Sequence, residues 1–128
     1  MLAALSLLIA AAPAGAACVA VDGDTLRCGD ERVRLLGIDA PELPWHCQQG
    51  RHCAPGDPYA STRSLRAALS RGPVSLRRFG TDHYGPTLAL VSAGGVDLSC
   101  WQLSHGQAIY KSWWDNGGQL ARICPAAR

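Results

Sequence analysis

The sequence predicts a small, mainly β domain of the α+β class, and three observations carry that expectation. Short runs of β-branched and apolar residues recur between glycine, proline and aspartate turns, two helix-period stretches interrupt them, and 128 residues give room for one domain with one modest core. The composition, 48% hydrophobic and 17% charged, is that of a folded globular chain. A formal net charge of +2 is too small to indicate a polyanion partner by itself, so any such partner has to be argued from a site.

Residues 1–17, MLAALSLLIAAAPAGAA, carry no charged side chain, contain an apolar run and end in small residues before Cys18. This pattern reads as a secretory signal peptide, too short to span a bilayer, and leaves 18–128 as the domain. Cys18 behind small residues also admits an acylated lipoprotein, although Gly15 stands where a lipobox normally has leucine. The expected location is secreted or periplasmic, with no transmembrane anchor.

Residues 19–21 and 25–28 read as short strands around the turn Asp22-Gly23-Asp24, and RVRLLGI, 32–38, as a third strand. Alternation in that strand puts Val33 and Leu35 on one face and Arg32 and Arg34 on the other. Pro41 and Pro44 end it, and 43–57 is a long loop rich in Gly, Pro, Gln and His. Asp57-Pro58 is an N-cap followed by proline at the first helical position, opening a helix over 59–70 that Gly72-Pro73 stops. Residues 74–79 and 87–91 are strands on either side of a turn at 80–85. Asp97 caps a helix over 98–105 with Gly106 as its stop, 108–110 is extended, and 118–123 is a last helical segment. Three strands, a helix, two strands and a helical end follow the order of a five-stranded Greek-key barrel of the OB type with two to three short helices, an architecture used by nucleic-acid binders.

Six cysteines in a small exported domain favour a disulfide framework. Cys18 and Cys28 are symmetric about Gly23, so a hairpin there makes them cross-strand neighbours. Cys47 and Cys53 close a short polar loop, which leaves Cys100 to pair with Cys124. Zinc is the rival for HCQQGRHC, through His46, Cys47, His52 and Cys53.

The segments VDGDT, RLLGIDAPE, TDHYG followed by TLAL, and LSHGQA resemble, in order and spacing, the staphylococcal (micrococcal) nuclease or thermonuclease family, over roughly residues 19–110. The resemblance implies an OB-type barrel and a calcium-dependent enzyme that hydrolyses DNA and RNA phosphodiester bonds. Its calcium ligands fall on Asp24, Asp39 and the backbone carbonyl of Ala40, with Asp22 in the outer shell. Glu42 falls on the glutamate that activates or positions the attacking water, and Arg34 on an arginine that grips the scissile phosphate. Tyr84, with His83 beside it, falls on the substrate-binding side. The implied partner is nucleic acid, with no stable protein partner and a monomeric chain. The chemistry suits the residues: Ca2+ takes several hard oxygen ligands at flexible geometry, and a guanidinium beside a divalent cation offsets charge on a phosphodiester's transition state.

One departure bears on turnover. Where the resemblance expects a second arginine, after Tyr84-Gly85, this chain has Pro86, which offers neither charge nor donor. Losing one such donor typically costs on the order of a hundredfold to a thousandfold in rate. Arg51, His52, Arg78 and His83 are candidates to replace it. The competing expectation is an OB module that binds nucleic acid without turnover; a third is a structural or zinc-bound module that binds neither calcium nor nucleotide. Tyr84, Tyr110, Trp113 and Trp114 are available to stack on bases, although Trp101, Trp113 and Trp114 are expected to serve packing.

Overall fold

The computed structural model describes residues 17–44, 46–81 and 85–128. The signal-peptide reading of residues 1–17 falls almost wholly outside them, and His83 and Tyr84 fall outside them too. The described residues form a mainly β, α+β fold of eight strands and two α-helices.

Strands β1 (Cys18–Ala20), β2 (Thr25–Cys28) and β3 (Glu31–Leu35) form an antiparallel meander in which Cys18 lies opposite Cys28. The cross-strand disulfide expected there is present, as are Cys47–Cys53 and Cys100–Cys124. With their sulfurs joined, Cys47 and Cys53 supply no thiolate, so the zinc alternative is excluded for that pair. β3 is shorter than the alternation of RVRLLGI suggests. Gly37, at φ 80°, turns the chain after Leu36, and Ile38–Asp39 becomes a separate strand, β4.

Helix α1 (Pro58–Leu69) begins at Asp57, whose side chain accepts from the Tyr59 N–H at 2.9 Å, with Pro58 at the first turn as expected. β5 (Val74–Thr81) and β6 (Thr87–Ala93) pair antiparallel, both longer than expected, with a bulge between Arg78 and Gly80 that leaves Phe79 as the extra residue. β7 (Val96–Asp97), too short to be read from periodicity, returns along β6. Helix α2 (Leu98–Ser104) is capped by Asp97, which accepts from the Cys100 N–H at 2.8 Å. β8 (Ile109–Tyr110) pairs with β4, and a 3₁₀ turn over Ser112–Trp114 follows.

The main sheet runs β1-β2-β3-β6-β5, with β3 and β6 parallel. Among the described residues no ladder joins β5 back to β1, so the sheet does not close through strand pairing; α1 packs against β1 and α2 instead. The core lies between the sheet and the helices, from Leu26, Val33, Leu35, Val91, Leu65 and Leu98, with Leu120 arriving from the C-terminal segment.

The helix expected over residues 118–123 is a run of turns instead. Buried Asp115 takes the amides that would start it, accepting from the N–H groups of Leu120 (2.6 Å) and Ala121 (3.0 Å) and from the Tyr110 hydroxyl (2.5 Å). Gly117 and Gly118, at φ 75° and 88°, curl the chain around that carboxylate.

Candidate active site

The site forms where the β1–β2 turn meets the end of β4. In the turn, the Val21 N–H donates to the Thr25 carbonyl at 2.8 Å and the Asp24 N–H to Asp22 Oδ1 at 3.0 Å, which directs the Asp24 side chain inward. There Asp24 Oδ1 accepts from the Thr25 hydroxyl at 3.0 Å and Oδ2 from the Ala40 N–H at 2.9 Å. The second bond joins two segments 16 residues apart and brings Asp24 and Asp39 together. Gln102 of α2 braces the turn from behind, its Nε2 donating to the carbonyls of Gly23 (2.7 Å) and Ser61 (2.9 Å).

Both aspartates are almost wholly buried, at 4% and 1% exposure. The Arg34 guanidinium on β3 lies 3.2 Å from Asp24 Oδ2 and 3.5 Å from Asp39 Oδ1. Arg51, on the Cys47–Cys53 loop, approaches from the other side, 3.8 Å from Asp39 Oδ1 and 3.3 Å from Glu42 Oε1. Charge is near Asp39 Oδ1 without a hydrogen bond: the atom is buried and has no donor. Burial pushes the Asp24 carboxyl up to about 6, Arg34 opposing part of the shift. Asp39 is raised as well, by burial first and then by the neighbouring Asp24.

A cavity of about 520 Å³ opens against this cluster, lined by Arg32, Arg34, Arg51, Phe79, Pro86, Trp113 and Trp114. The guanidiniums rather than the carboxylates form its wall. Trp113, 70% exposed, and Trp114, 36% exposed, do not serve core packing as expected; Trp114 lies under Arg34, with the guanidinium carbon 5.3 Å from its ring centre. Trp101 does pack, its Nε1 donating to the Ser64 carbonyl at 3.2 Å. Tyr110 is held by Asp115, which pushes its hydroxyl up to about 12.

Of the residues singled out in the sequence, Asp24, Asp39, Ala40, Arg34 and Glu42 are brought together. Of the candidate replacement cations, Arg51 is at the site. Arg78 is committed elsewhere: its Nε and Nη2 donate to the two oxygens of Glu31 at 2.9 and 2.6 Å. Sequence reasoning missed Gln102, whose signal was a glutamine four residues after Leu98 on the buried face of α2.

The donor set suits a hard cation: two buried carboxylates, one with an oxygen lacking any hydrogen bond. It is not a dense cluster, since no group of three or more His, Cys, Asp or Glu fit to hold a metal occurs among the described residues. No protein-family model matches the chain. A curated relative, the succinoglycan biosynthesis protein ExoI of Rhizobium meliloti (strain 1021), is 32% identical over 111 residues, which cover 84% of this chain and 57% of that protein. The chain thus spans rather more than half the length of the relative it matches.

Proposed function

We propose that this chain is an exported, calcium-dependent nuclease of the staphylococcal nuclease type, hydrolysing DNA or RNA phosphodiester bonds. The observation that carries the reading is the convergence of Asp24 from the β1–β2 turn, and of Asp39 and Glu42 from β4 and the residues after it, on two guanidiniums at the wall of one cavity. The order β1-β2-β3-β6-β5 with a parallel β3–β6 contact supports an OB-type strand arrangement as the scaffold, left open between β5 and β1 among the described residues. Three disulfides, with no helix among the described residues long and apolar enough to cross a membrane, support a secreted or periplasmic location. The relative's name gives a place in succinoglycan biosynthesis but no bond made or broken, so the proposal rests on the site.

Asp24 and Asp39, with the Ala40 carbonyl and water, would hold Ca2+, which supplies positive charge to a phosphate oxygen. Arg34 binds a second phosphate oxygen across the cavity wall and offsets charge building on the equatorial oxygens. Glu42, part-exposed beside them, orients the attacking water and takes its proton as the new P–O bond forms and the ester P–O bond breaks. Trp113 and Trp114 offer faces on which an unpaired base can stack, favouring single-stranded substrate.

The alternative, a binding module without turnover, is favoured by Pro86, which puts an uncharged ring on the wall. Cleavage of denatured DNA with calcium or with chelator separates the two. Calcium-dependent cleavage by the wild type, falling at least a hundredfold in Glu42→Gln, supports the enzyme. Binding without any cleavage by the wild type would leave the module.

A further inference from the structure

Arg51 is placed with more constraint than a loop arginine needs. Its loop is closed by Cys47–Cys53, and its own N–H donates to the Gln48 carbonyl at 3.0 Å, so a short, locked turn presents the guanidinium. The side chain is 37% exposed and lines the same cavity as Arg34. Two guanidiniums on one concave wall form an anion site, since each offers a fork of donors suited to phosphate oxygens. In the free protein those donors face Glu42 and Asp39 at 3.3 and 3.8 Å. Those distances are longer than a charge-assisted hydrogen bond, so the guanidinium is held near the carboxylates by charge alone and an entering phosphate group can compete for its donors.

We infer that Arg51 is a second phosphate-binding residue of this site, held in reserve on Glu42 and Asp39 until a phosphodiester or phosphate enters. Transfer of the guanidinium to the substrate also frees the Glu42 carboxylate to hold water, so substrate entry and activation of Glu42 are linked. The inference rests on the phosphodiesterase reading for its catalytic consequence, but not for anion binding. Neighbouring cations are less suited. Arg78 is tied to Glu31, and Arg77 lies 4.8 Å from the ring centre of Phe79. Arg32 lines the cavity without contacting the carboxylates and serves as the internal comparison.

The test compares wild type, Arg51→Ala, Arg51→Lys, Arg32→Ala and Arg78→Ala. Binding of a nucleoside 3′,5′-bisphosphate is followed by tryptophan fluorescence in chelator and in calcium. Binding of a short single strand is followed across a salt series, and cleavage is measured in parallel. Arg51→Ala is expected to weaken bisphosphate binding at least tenfold and to reduce the salt slope for single-strand binding by about 0.7, the value for one phosphate contact. Arg51→Lys should recover part of the loss, and Arg78→Ala should stay within twofold of the wild type. Bisphosphate affinity within twofold in Arg51→Ala, tighter binding in that variant, or the whole loss appearing in Arg32→Ala instead would overturn the inference. A wild type that binds through Arg51 but never cleaves would keep this inference and sink the nuclease; a wild type whose cleavage and binding survive Arg51→Ala would do the reverse.

Discussion

The Asp24 carboxylate is aimed by a turn with no spare room, and Gly23→Ala tests how far that matters. A Cβ on Gly23 would lie 1.9 Å from Ser61 Oγ and 2.8 Å from the Cβ atoms of both Ser61 and Ala40. The hydroxyl can rotate, at the expense of its 2.7 Å bond to the Gln107 carbonyl, but neither Cβ can move without its backbone. Both belong to buried residues, Ser61 on α1 and Ala40 beyond β4. Overpacking of this kind costs about 1–3 kcal/mol, or roughly 4–12 °C of melting temperature at about 4 °C per kcal/mol for a domain this small. The displaced turn also carries Asp24 away from the Ala40 N–H, so on the proposed calcium-binding reading the stabilisation by calcium should shrink. Thermal melts by circular dichroism, with calcium and with chelator, read both effects. Gly23→Ala combined with Ser61→Gly removes two of the three clashes and should recover part of the loss. A single variant melting within about 1 °C of the wild type with an undiminished calcium shift would refute the reasoning, because a tightly wedged turn cannot take a methyl group unnoticed.

Asp115→Ala strips the acceptor from the Leu120 and Ala121 amides and the Tyr110 hydroxyl. It should cost at least about 3 kcal/mol in denaturant titration, from three stranded donors at about 1–3 kcal/mol each, and Tyr110 should titrate back from about 12 toward its ordinary value by ultraviolet difference spectra. Asp24 makes the metal-free protein less stable as pH rises. Its folded carboxyl is raised from 3.8 to about 6, so the cost of ionising it is absent below about 4, grows between 4 and 6 and is complete above. Denaturation in chelator across that window should show a downward slope that Asp24→Asn reduces, the raised Asp39 carboxyl contributing to what remains; an equal or upward slope in the wild type relative to the variant would contradict it. Calcium binding should weaken on acidification through the same window, because the proton competes for Asp24. Pro86→Arg should raise turnover, by a larger factor in Arg51→Ala than in the wild type, since the two guanidiniums serve one anion; equal factors would mean that they act independently.

Much of the fold was legible because its signals are local. Asp57-Pro58 and Asp97 announce their helices through side chains that cap within three residues, and the symmetry of Cys18 and Cys28 about Gly23 is itself a hairpin register. The errors fall where distant groups decide the local structure. The apolar alternation runs through Leu36 to Ile38, yet the Leu36 N–H is taken by the Ala89 carbonyl of β6 and Gly37 turns the chain. Likewise, the helical composition of 118–123 yields to a buried carboxylate outside the segment, at Asp115.

The candidate site divides along the same line. Its acidic half was readable because DGD and DAPE are short turns whose carboxylates act where they stand, and the Ala40 N–H to Asp24 bond fixes their meeting. Its basic and aromatic wall was readable only in part: Arg34 was singled out, but Arg51 stood as one of four candidate cations, and Trp113 and Trp114 were divided between stacking and packing. Arg51 meets Glu42 from a loop closed by Cys47–Cys53, whose path across the site carries no sequence signal, and two adjacent tryptophans in an aperiodic stretch carry no signal of which side they face. The arrangement has a physical logic that the sequence alone does not express. Burying Asp24 and Asp39 together raises both carboxyls, so the free protein needs nearby positive charge, and Arg34 and Arg51 provide it. The same two guanidiniums line the cavity. On the proposed reading, the charge that offsets the buried carboxylates is also the charge available for substrate, and a cation bound by the carboxylates would release it.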